Sequence, residues 1–306
     1  MNDSPATPGR FSNRQIGVGL MLFGAILFSC KAVFIKLTYG VYPISSISLL
    51  GLRMAFSLPL FLLIGWFRRE RTATHGRITP RDYGIILLLG IFGYYLASYT
   101  DFLGLRYLSA GMERLILFVY PTLVLILQLL IFGTPVRRIQ WIATAVCYVG
   151  IAVAFSGSDF TIGSSFTLGA GLVFFSAFLY SFYVIGSGRL APRVGTVRFT
   201  SLALVAASVS VLLHVFFSGE HLLGFPPIVY AYALTISIFC TVIPSYLVTE
   251  GVRRIGAGDA AILGAIGPVA TIVLEYFVLG ESLNWVQALG AALVIFGVVL
   301  IGRSKA

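Results

Sequence analysis

Long apolar runs, separated by short polar segments, occupy almost the whole of this chain. A helix needs roughly 20 apolar residues to cross a bilayer, and ten runs reach or approach that length. They cover residues 16–37, 44–67, 83–103, 109–132, 139–155, 168–185, 199–217, 228–248, 260–279 and 285–301. The pattern predicts an all-α integral membrane protein with ten transmembrane helices. The fifth and sixth runs are short, so their ends are the least well defined.

The composition agrees with a membrane protein and excludes an ordinary soluble domain. Hydrophobic residues make up 58% of the chain and charged residues 10%, against roughly 45–50% and 25% in soluble domains. Residues 1–14 are predicted to be a flexible cytoplasmic tail. The first apolar run is too long for a cleavable signal peptide and is followed by further runs, so we expect it to remain in the protein.

Basic residues predict how the helices are oriented. With the N-terminus inside, sixteen of the 21 Lys and Arg residues fall in cytoplasmic segments. Cytoplasmic loops of membrane proteins carry such an excess of Lys and Arg. We therefore expect both termini in the cytoplasm. The same distribution accounts for the net charge of +10 without a nucleic-acid partner.

The chain contains an internal repeat. Residues 91–155 and 238–302 align without a gap at an offset of 147, and the identical pairs include Tyr99/Tyr246 and Pro121/Pro268. The repeats are assigned to residues 15–156 and 168–303, joined by an outer linker at 157–167. Each holds five runs, an odd number, so the second repeat must cross the membrane in the opposite sense. Inverted repeats of this kind are typical of transporters with a substrate site between the halves.

The second repeat resembles the EamA unit of the drug/metabolite transporter superfamily, and the resemblance covers nearly the whole chain. It is carried by Gly251, Arg253, Ala257, Gly258, Pro268, the run Gly280-Glu281-Ser282-Leu283, Gly290, Ala291, Ala292, Leu293 and Gly297. The first repeat departs from this pattern at Gly133-Thr134-Pro135, where the acidic residue is missing. The resemblance implies two inverted five-helix repeats around a central cavity. It also implies export of small solutes such as amino acids, nucleotide sugars, organic phosphates, vitamins or drugs, across a bacterial inner membrane.

Prolines interrupt the fourth and ninth helices at corresponding positions, Pro121 and Pro268. Proline removes a backbone donor and kinks a helix. Matching interruptions in two halves point to a binding site, so we assign both prolines to helix kinking or gating. Packing kinks inherited from one ancestral helix are the alternative.

Four charged residues within the runs are candidate substrate-binding groups: Lys31, Glu113, Arg114 and Glu275. Each costs roughly 2.5–3.5 kcal/mol at bilayer depth unless it has a partner or faces a cavity. Lys31 or Arg114 would meet a carboxylate, and Glu113 or Glu275 would meet an ammonium group or a proton. The alternatives are a Lys31 that extends to the headgroups and an interfacial Glu113–Arg114 pair. Arg53, also within a run, is interpreted as structural.

Tyrosines at mid-depth are further candidates, because a buried hydroxyl needs a partner. The candidate substrate-binding tyrosines are Tyr94, Tyr99, Tyr120, Tyr180 and Tyr246. The sequence has no HExxH, P-loop or nucleophile-elbow motif, and its three cysteines match no metal or disulfide spacing. We therefore expect neither an enzyme nor a cofactor or metal site.

Together these features predict a secondary transporter that exports small amphiphilic metabolites, with amino acids, including aromatic ones, as the first choice. A sugar-phosphate or other organic-anion exchanger, a multidrug exporter, a lipid flippase subunit and a membrane-embedded lipid-modifying enzyme are the alternatives. Membrane lipid and a small-molecule substrate are the expected partners. Proton coupling stays open, as does the choice between a monomer and a homodimer.

Overall fold

The computed structural model describes residues 12–67, 79–156, 165–279 and 285–304, with every side chain in these ranges except those of Glu275 and Leu279. Ten helices in this part of the chain are long and apolar enough to cross a membrane. They are α1 (Asn13–Val41), α2 (Ser46–Phe67), α3 (Pro80–Gly104), α4 (Ala110–Phe132), α5 (Arg138–Ser156), α6 (Phe166–Val194), α7 (Thr196–Phe217), α8 (Pro227–Ile255), α9 (Ala257–Val278) and α10 (Trp285–Arg303). The predicted all-α architecture of ten membrane-spanning helices is confirmed.

Two helices continue well beyond the ends that their apolar runs predict. The run of α6 stops at residue 185 but the helix reaches Val194, and α8 passes residue 248 to end at Ile255. Arginine is a good helix former, so a helix can outlast its apolar run. Arg189, Arg193 and Arg253, which follow the apolar runs, therefore belong to these helices.

Short polar motifs set several helix ends. The Ser12 hydroxyl accepts a hydrogen bond from the Gln15 amide at 3.2 Å, and the Gln15 side chain accepts one from the Ser12 amide at 2.8 Å. This reciprocal capping box satisfies amides that would otherwise lack partners at the start of α1. At the end of α4, Gly133 adopts a left-handed conformation with φ +60°, which glycine tolerates and most residues do not.

The duplication is visible in the irregular parts of the helices. A π-helical segment interrupts α3 at Ile91–Leu96, and another interrupts α8 at Ile238–Val242, starting 147 residues later. The fourth helix of each repeat is broken as well. In α4 the break follows Leu117, and in α9 it follows Leu263. The matching positions show that the two repeats share one backbone plan.

Packing between the helices follows the same repeat. The mates α5 and α10 cross closely at Gly150 and Gly297, where a Cβ on Gly150 would lie 2.7 Å from the Val294 nitrogen. Gly24 of α1 packs on Val248 of α8, and Gly93 of α3 packs on Tyr183 of α6. Because α6 is the repeat mate of α1 and α3 is the repeat mate of α8, the α1–α8 contact and the α6–α3 contact are equivalent in the two repeats.

One end of the bundle gathers a group of arginines around Asp259. Arg14 Nη2 lies 2.9 Å from Asp259 Oδ2, and Arg137 Nη2 lies 2.6 Å from Asp259 Oδ1. Arg254 at the end of α8 donates to Asn13 at 2.6 Å. We call this the basic end, and the other the far end. Because successive helices alternate in direction, α1 starts at the basic end and its repeat mate α6 starts at the far end.

Candidate functional site

A cavity of about 110 Å³ lies between the two repeats, in the middle of the bundle. Its walls come from α1, α2, α3 and α4 of the first repeat and from α6, α8 and α9 of the second. We call it the central cavity. Of the candidate substrate-binding residues, Lys31, Tyr94, Arg114, Tyr120 and Tyr180 line it. The structure thus brings five of the nine together.

One part of the wall carries an ion pair between α1 and α3. Lys31 Nζ lies 2.6 Å from Asp101 Oδ2, and the carboxylate is almost fully buried. Both residues line the central cavity. A charge at this depth requires a partner or access to water, and here each supplies the other's partner.

A second pair lies beside the first, at the start of α4. Arg114 Nε approaches Glu113 Oε2 to 2.6 Å. The two residues are adjacent in the chain, and the contact does not have the alignment of a hydrogen bond, so these atoms lack hydrogen-bond partners despite their closeness. Arg114 lines the cavity, whereas Glu113 is fully buried behind it and does not reach the wall.

A third cation, Arg53 of α2, reaches the same cavity. The residue is 1% exposed, and its guanidinium lies over the Phe102 ring at 5.0 Å from the ring centre. Its Nε and Nη2 atoms have no hydrogen-bond partner among the described residues. Arg53 is therefore a buried cation held by a ring face and not by a carboxylate.

Aromatic residues also line the cavity. Phe28, Phe118, Tyr120 and Tyr180 are among the lining residues, and the rings of Tyr120 and Tyr180 meet edge to face at 5.5 Å. Tyr94 lines the cavity as well, while its hydroxyl bonds to Ser245 at 3.0 Å. The cavity wall therefore combines charged groups with aromatic rings.

The broken helix α9 forms part of the cavity wall. Gly264, Gly267 and Pro268 line the cavity, and the Tyr120 hydroxyl donates to the Ala261 carbonyl at 3.0 Å. Pro121, the repeat mate of Pro268, is buried in the second segment of α4 and does not line the cavity. The two prolines therefore have equivalent places in their helices but different surroundings.

The remaining candidates lie elsewhere or outside the described side chains. Tyr99 packs on His214 of α7 at 4.8 Å between ring centres, and the Tyr246 hydroxyl bonds to Ser201 of α7 at 2.8 Å. Five residues turn a helix by about 140°, so Tyr94 and Tyr99 point to different sides of α3. The Glu275 side chain is outside the part of the chain that the structure describes.

Sequence reasoning missed Asp101 as a site residue. It lies two residues before the predicted end of its apolar run, where a carboxylate is expected to face the headgroups. Its helix continues to Gly104, and its partner Lys31 is 70 residues away in the chain. The one available signal was the presence of a single carboxylate and a single lysine at similar depth in two helices of the same repeat.

The central cavity offers charge, hydrogen bonds and ring faces to a small molecule. Across the described ranges, no three His, Cys, Asp or Glu side chains are grouped to share a metal ion. A molecule that fits this wall would carry a charged group at one end and an apolar group at the other.

Comparison with known proteins places this architecture in a family. The profile of the EamA-like transporter family matches residues 15–156 and again residues 167–303. Relatives include the uncharacterized transporter YcbK of Bacillus subtilis (strain 168), which is 29% identical over 92% of this chain and 90% of its own. The uncharacterized transporter sll1319 of Synechocystis sp. is 24% identical over 95% and 94%. The uncharacterized inner membrane transporter YedA of Escherichia coli (strain K12) is 23% identical over 57% and 56%.

A solved structure supports the fold independently. One crystal structure superimposes with a TM-score of 0.72 over 92% of this chain and 95% of its own, at 19% identity. An identity this low carries the fold alone. The two family matches each cover one five-helix repeat, as the internal offset of 147 residues predicts. The chain belongs to the EamA-like transporter family and is a multi-pass membrane transporter.

Proposed function

We propose that the protein is a secondary transporter that exports small amphiphilic metabolites by alternating access. Amino acids with apolar side chains, including aromatic ones, are the proposed substrates. The membrane is a bacterial inner membrane, in line with the name of the relative YedA. The basic end would face the cytoplasm, because the positive-inside rule places arginine-rich ends there.

One observation carries the substrate class. The wall of the central cavity combines the Lys31–Asp101 pair and Arg114 with the rings of Phe28, Phe118, Tyr120 and Tyr180. A zwitterion with an apolar side chain would find partners in this wall both for its charged groups and for its side chain. Sites of this kind combine apolar walls with a few placed polar groups that fix orientation.

Alternating access is supported by the way the repeats meet. At the basic end Asp259 of the second repeat bridges Arg14 and Arg137 of the first, so opening that end requires these contacts to separate. The broken helices α4 and α9 provide flexible points in equivalent places. Inverted repeats allow two related states, one open to each side of the membrane.

Proton coupling is supported by the carboxyl groups of Asp101 and Glu113, which are both buried and close enough for their charges to act on each other. As two carboxylates they offer each other only acceptors, and three of their four oxygens lack a donor. One proton held between them would form a hydrogen bond and remove the repulsion, as in other carboxyl pairs. Export would then be coupled to proton entry through this pair.

Counterflow in proteoliposomes tests the proposal. Vesicles are loaded with unlabelled phenylalanine, leucine or alanine, and entry of the labelled amino acid is followed. We expect uptake of phenylalanine or leucine that collapses in Lys31→Ala. Absence of uptake for every amino acid, while a known transporter works in the same lipid, would overturn the amino-acid assignment.

For the proton step, pH-gradient-driven flux should be lost in Glu113→Gln, and unchanged flux would exclude this pair.

A second candidate is an organic-anion exchanger. The observation in its favour is that the described cavity wall carries three cations, Lys31, Arg53 and Arg114, against one carboxylate, Asp101. Exchange that depends on a phosphate counter-substrate inside the vesicles would favour this candidate. Amino-acid counterflow without phosphate would exclude that dependence.

A further inference from the structure

Arg53 is the one cation of the central cavity that has no acidic partner among the described residues. Lys31 already contacts Asp101 at 2.6 Å, and Arg114 contacts Glu113 at 2.6 Å. Each of these two cations has a carboxyl group in direct contact. Arg53 has the Phe102 ring beneath it and two guanidinium nitrogens with no hydrogen-bond partner. Of the three cations on the described wall, Arg53 is therefore the one without a contacting carboxyl group.

A purely structural role does not account for this arrangement. Structural arginines in membranes are satisfied by carboxylates or main-chain carbonyls, since an isolated charge is costly at this depth. Even Arg106, an exposed residue of the turn between α3 and α4, has such acceptors: its Nε donates to Ser46 at 2.8 Å and its Nη2 to the Ile44 carbonyl at 2.6 Å. Arg106 also stacks on a ring, that of Tyr39 at 5.4 Å. Arg53 has the ring but lacks the acceptors.

The free nitrogens of Arg53 are of the kind that bind a carboxylate. Nε and one Nη of a guanidinium can donate two parallel hydrogen bonds to the two oxygens of one carboxylate. Arg53 is almost fully buried, so its charge is weakly screened there. The ring of Phe102 supports the guanidinium from one face, at 5.0 Å from the ring centre.

We propose that Arg53 is the residue that binds the carboxylate of the transported substrate, in place of Lys31 or Arg114. This inference rests on the proposed function, because it names the group that binds the carboxylate end of the proposed amphiphilic substrate. Lys31 then serves to hold Asp101, and Arg114 to hold Glu113. The apolar end of the substrate lies toward Phe118, Tyr120 and Tyr180.

The test compares matched competitors with and without the carboxylate. Counterflow of labelled phenylalanine is inhibited with phenylalanine, phenylalaninamide, 3-phenylpropionate, 3-phenylpropionamide and phenyl phosphate. The wild-type protein should prefer each acid to its amide by about tenfold or more, as expected for a charge-assisted bidentate contact. In Arg53→Gln the acid-to-amide ratio should fall to near one. In Arg53→Lys, which keeps the positive charge but cannot donate two parallel hydrogen bonds, the acid-to-amide ratio should fall several-fold.

Arg106→Lys is the matched control, because Arg106 is also a ring-stacked arginine but lies outside the cavity. It should leave the acid-to-amide ratio unchanged. If Arg53→Gln and Arg53→Lys keep the wild-type ratio, Arg53 does not bind the carboxylate. Stronger inhibition by phenyl phosphate than by 3-phenylpropionate would overturn the carboxylate assignment in favour of a phosphate.

Further outcomes separate this inference from the proposed function. If labelled phenylalanine is not carried but labelled 3-phenylpropionate is, the amino-acid proposal fails. The role of Arg53 is then tested with the acid-to-amide ratio of 3-phenylpropionate and its amide. A lower ratio in the Arg53 variants supports the role, and an unchanged ratio contradicts it. Should both Arg53 variants fail to fold in size-exclusion chromatography, Phe102→Leu provides the same test. It keeps the guanidinium but removes its support, and an acid-to-amide ratio equal to that of the wild type would overturn the inference.

Discussion

The phenolic hydroxyl of Tyr120 donates a hydrogen bond to the main-chain carbonyl of Ala261, with 3.0 Å between the oxygens. Tyr120 immediately precedes the proline of the broken helix α4, and Ala261 lies two residues before Leu263, where the first segment of the mate helix α9 ends. The bond therefore joins the irregular points of the two repeats across the central cavity. Gly264 makes the approach possible, because a Cβ there would overlap the Tyr120 hydroxyl.

Tyr120→Phe should lower both stability and transport. The Ala261 carbonyl would lose its side-chain donor but keep the Gly264 amide, which donates to it at 3.1 Å. We therefore expect a loss of about 0.5–1.5 kcal/mol in the free energy of unfolding, the usual net contribution of one hydrogen bond. Transport should fall as well, because the contact spans the two repeats at the cavity. Denaturation in detergent and phenylalanine counterflow measure the two effects.

Tyr230→Phe provides the matched control for this prediction. The Tyr230 hydroxyl also donates to a main-chain carbonyl, that of Leu222 at 3.1 Å, but it lies in the α7–α8 region away from the cavity. It should lose stability without a specific loss of transport. Equal transport losses in the two variants would show that Tyr120 acts only through stability.

The Lys31–Asp101 pair should behave as a coupled unit. Removing one partner leaves a buried charge, and such single variants typically lose 3–5 kcal/mol. Lys31→Met and Asp101→Asn should each be strongly destabilised, while the double variant should be more stable than the sum of the two losses predicts. A double-mutant cycle in detergent measures the coupling, and additive losses would mean that the 2.6 Å contact contributes no net energy.

The number of helices and the two-repeat architecture could be predicted from the sequence because they depend on patterns that extend over many residues. A misassigned residue at any single position changes neither a twenty-residue apolar run nor a constant offset of 147 residues. The matched π-helical segments at Ile91–Leu96 and Ile238–Val242 lie at that same offset. Those segments themselves could not be predicted, since a π-helix depends on one inserted residue and not on the apolar pattern.

The site was less accessible, because side-chain partners are set by how the helices pack. Lys31, Arg114 and three of the five tyrosines were placed at the cavity from depth and residue type alone. Asp101 was not predicted as a site residue, because its partner Lys31 comes close only when the helices pack. Arg53 was interpreted as structural, because the sequence cannot show that no carboxylate contacts it.

Asp259→Asn should open the basic end more often. The substitution removes the charge that holds Arg14, in the first turn of α1, and Arg137, just before α5, against the second repeat. In a variant without native cysteines, Ser29→Cys places a thiol on the cavity wall. We expect a membrane-impermeant thiol reagent, added on the side of the chain termini, to label this cysteine faster when Asp259→Asn is present.

Glu250→Gln separates this effect from a general loss of charge at the same end. Glu250 binds Arg253 and Arg254 of its own helix and Thr196 of α7, all in the second repeat. Because it does not link the two repeats, its loss should leave the labelling rate unchanged. Faster labelling in Glu250→Gln as well would argue that any loosening of the basic end is sufficient.

Gly150→Ala should destabilise the contact between the repeat mates α5 and α10. The added methyl group would meet the Val294 nitrogen at 2.7 Å and the Gly290 carbonyl at 2.8 Å, both of them main-chain atoms that cannot move away locally. Overpacking of this kind costs about 1–3 kcal/mol. Gly171→Ala is the control, since a Cβ there meets nothing within 4 Å, and replacing a helical glycine by alanine gains roughly 0.5–1 kcal/mol. The thermal midpoints in detergent should therefore move in opposite directions. If Gly150→Ala is as stable as the wild type, α5 and α10 are further apart than the structure places them.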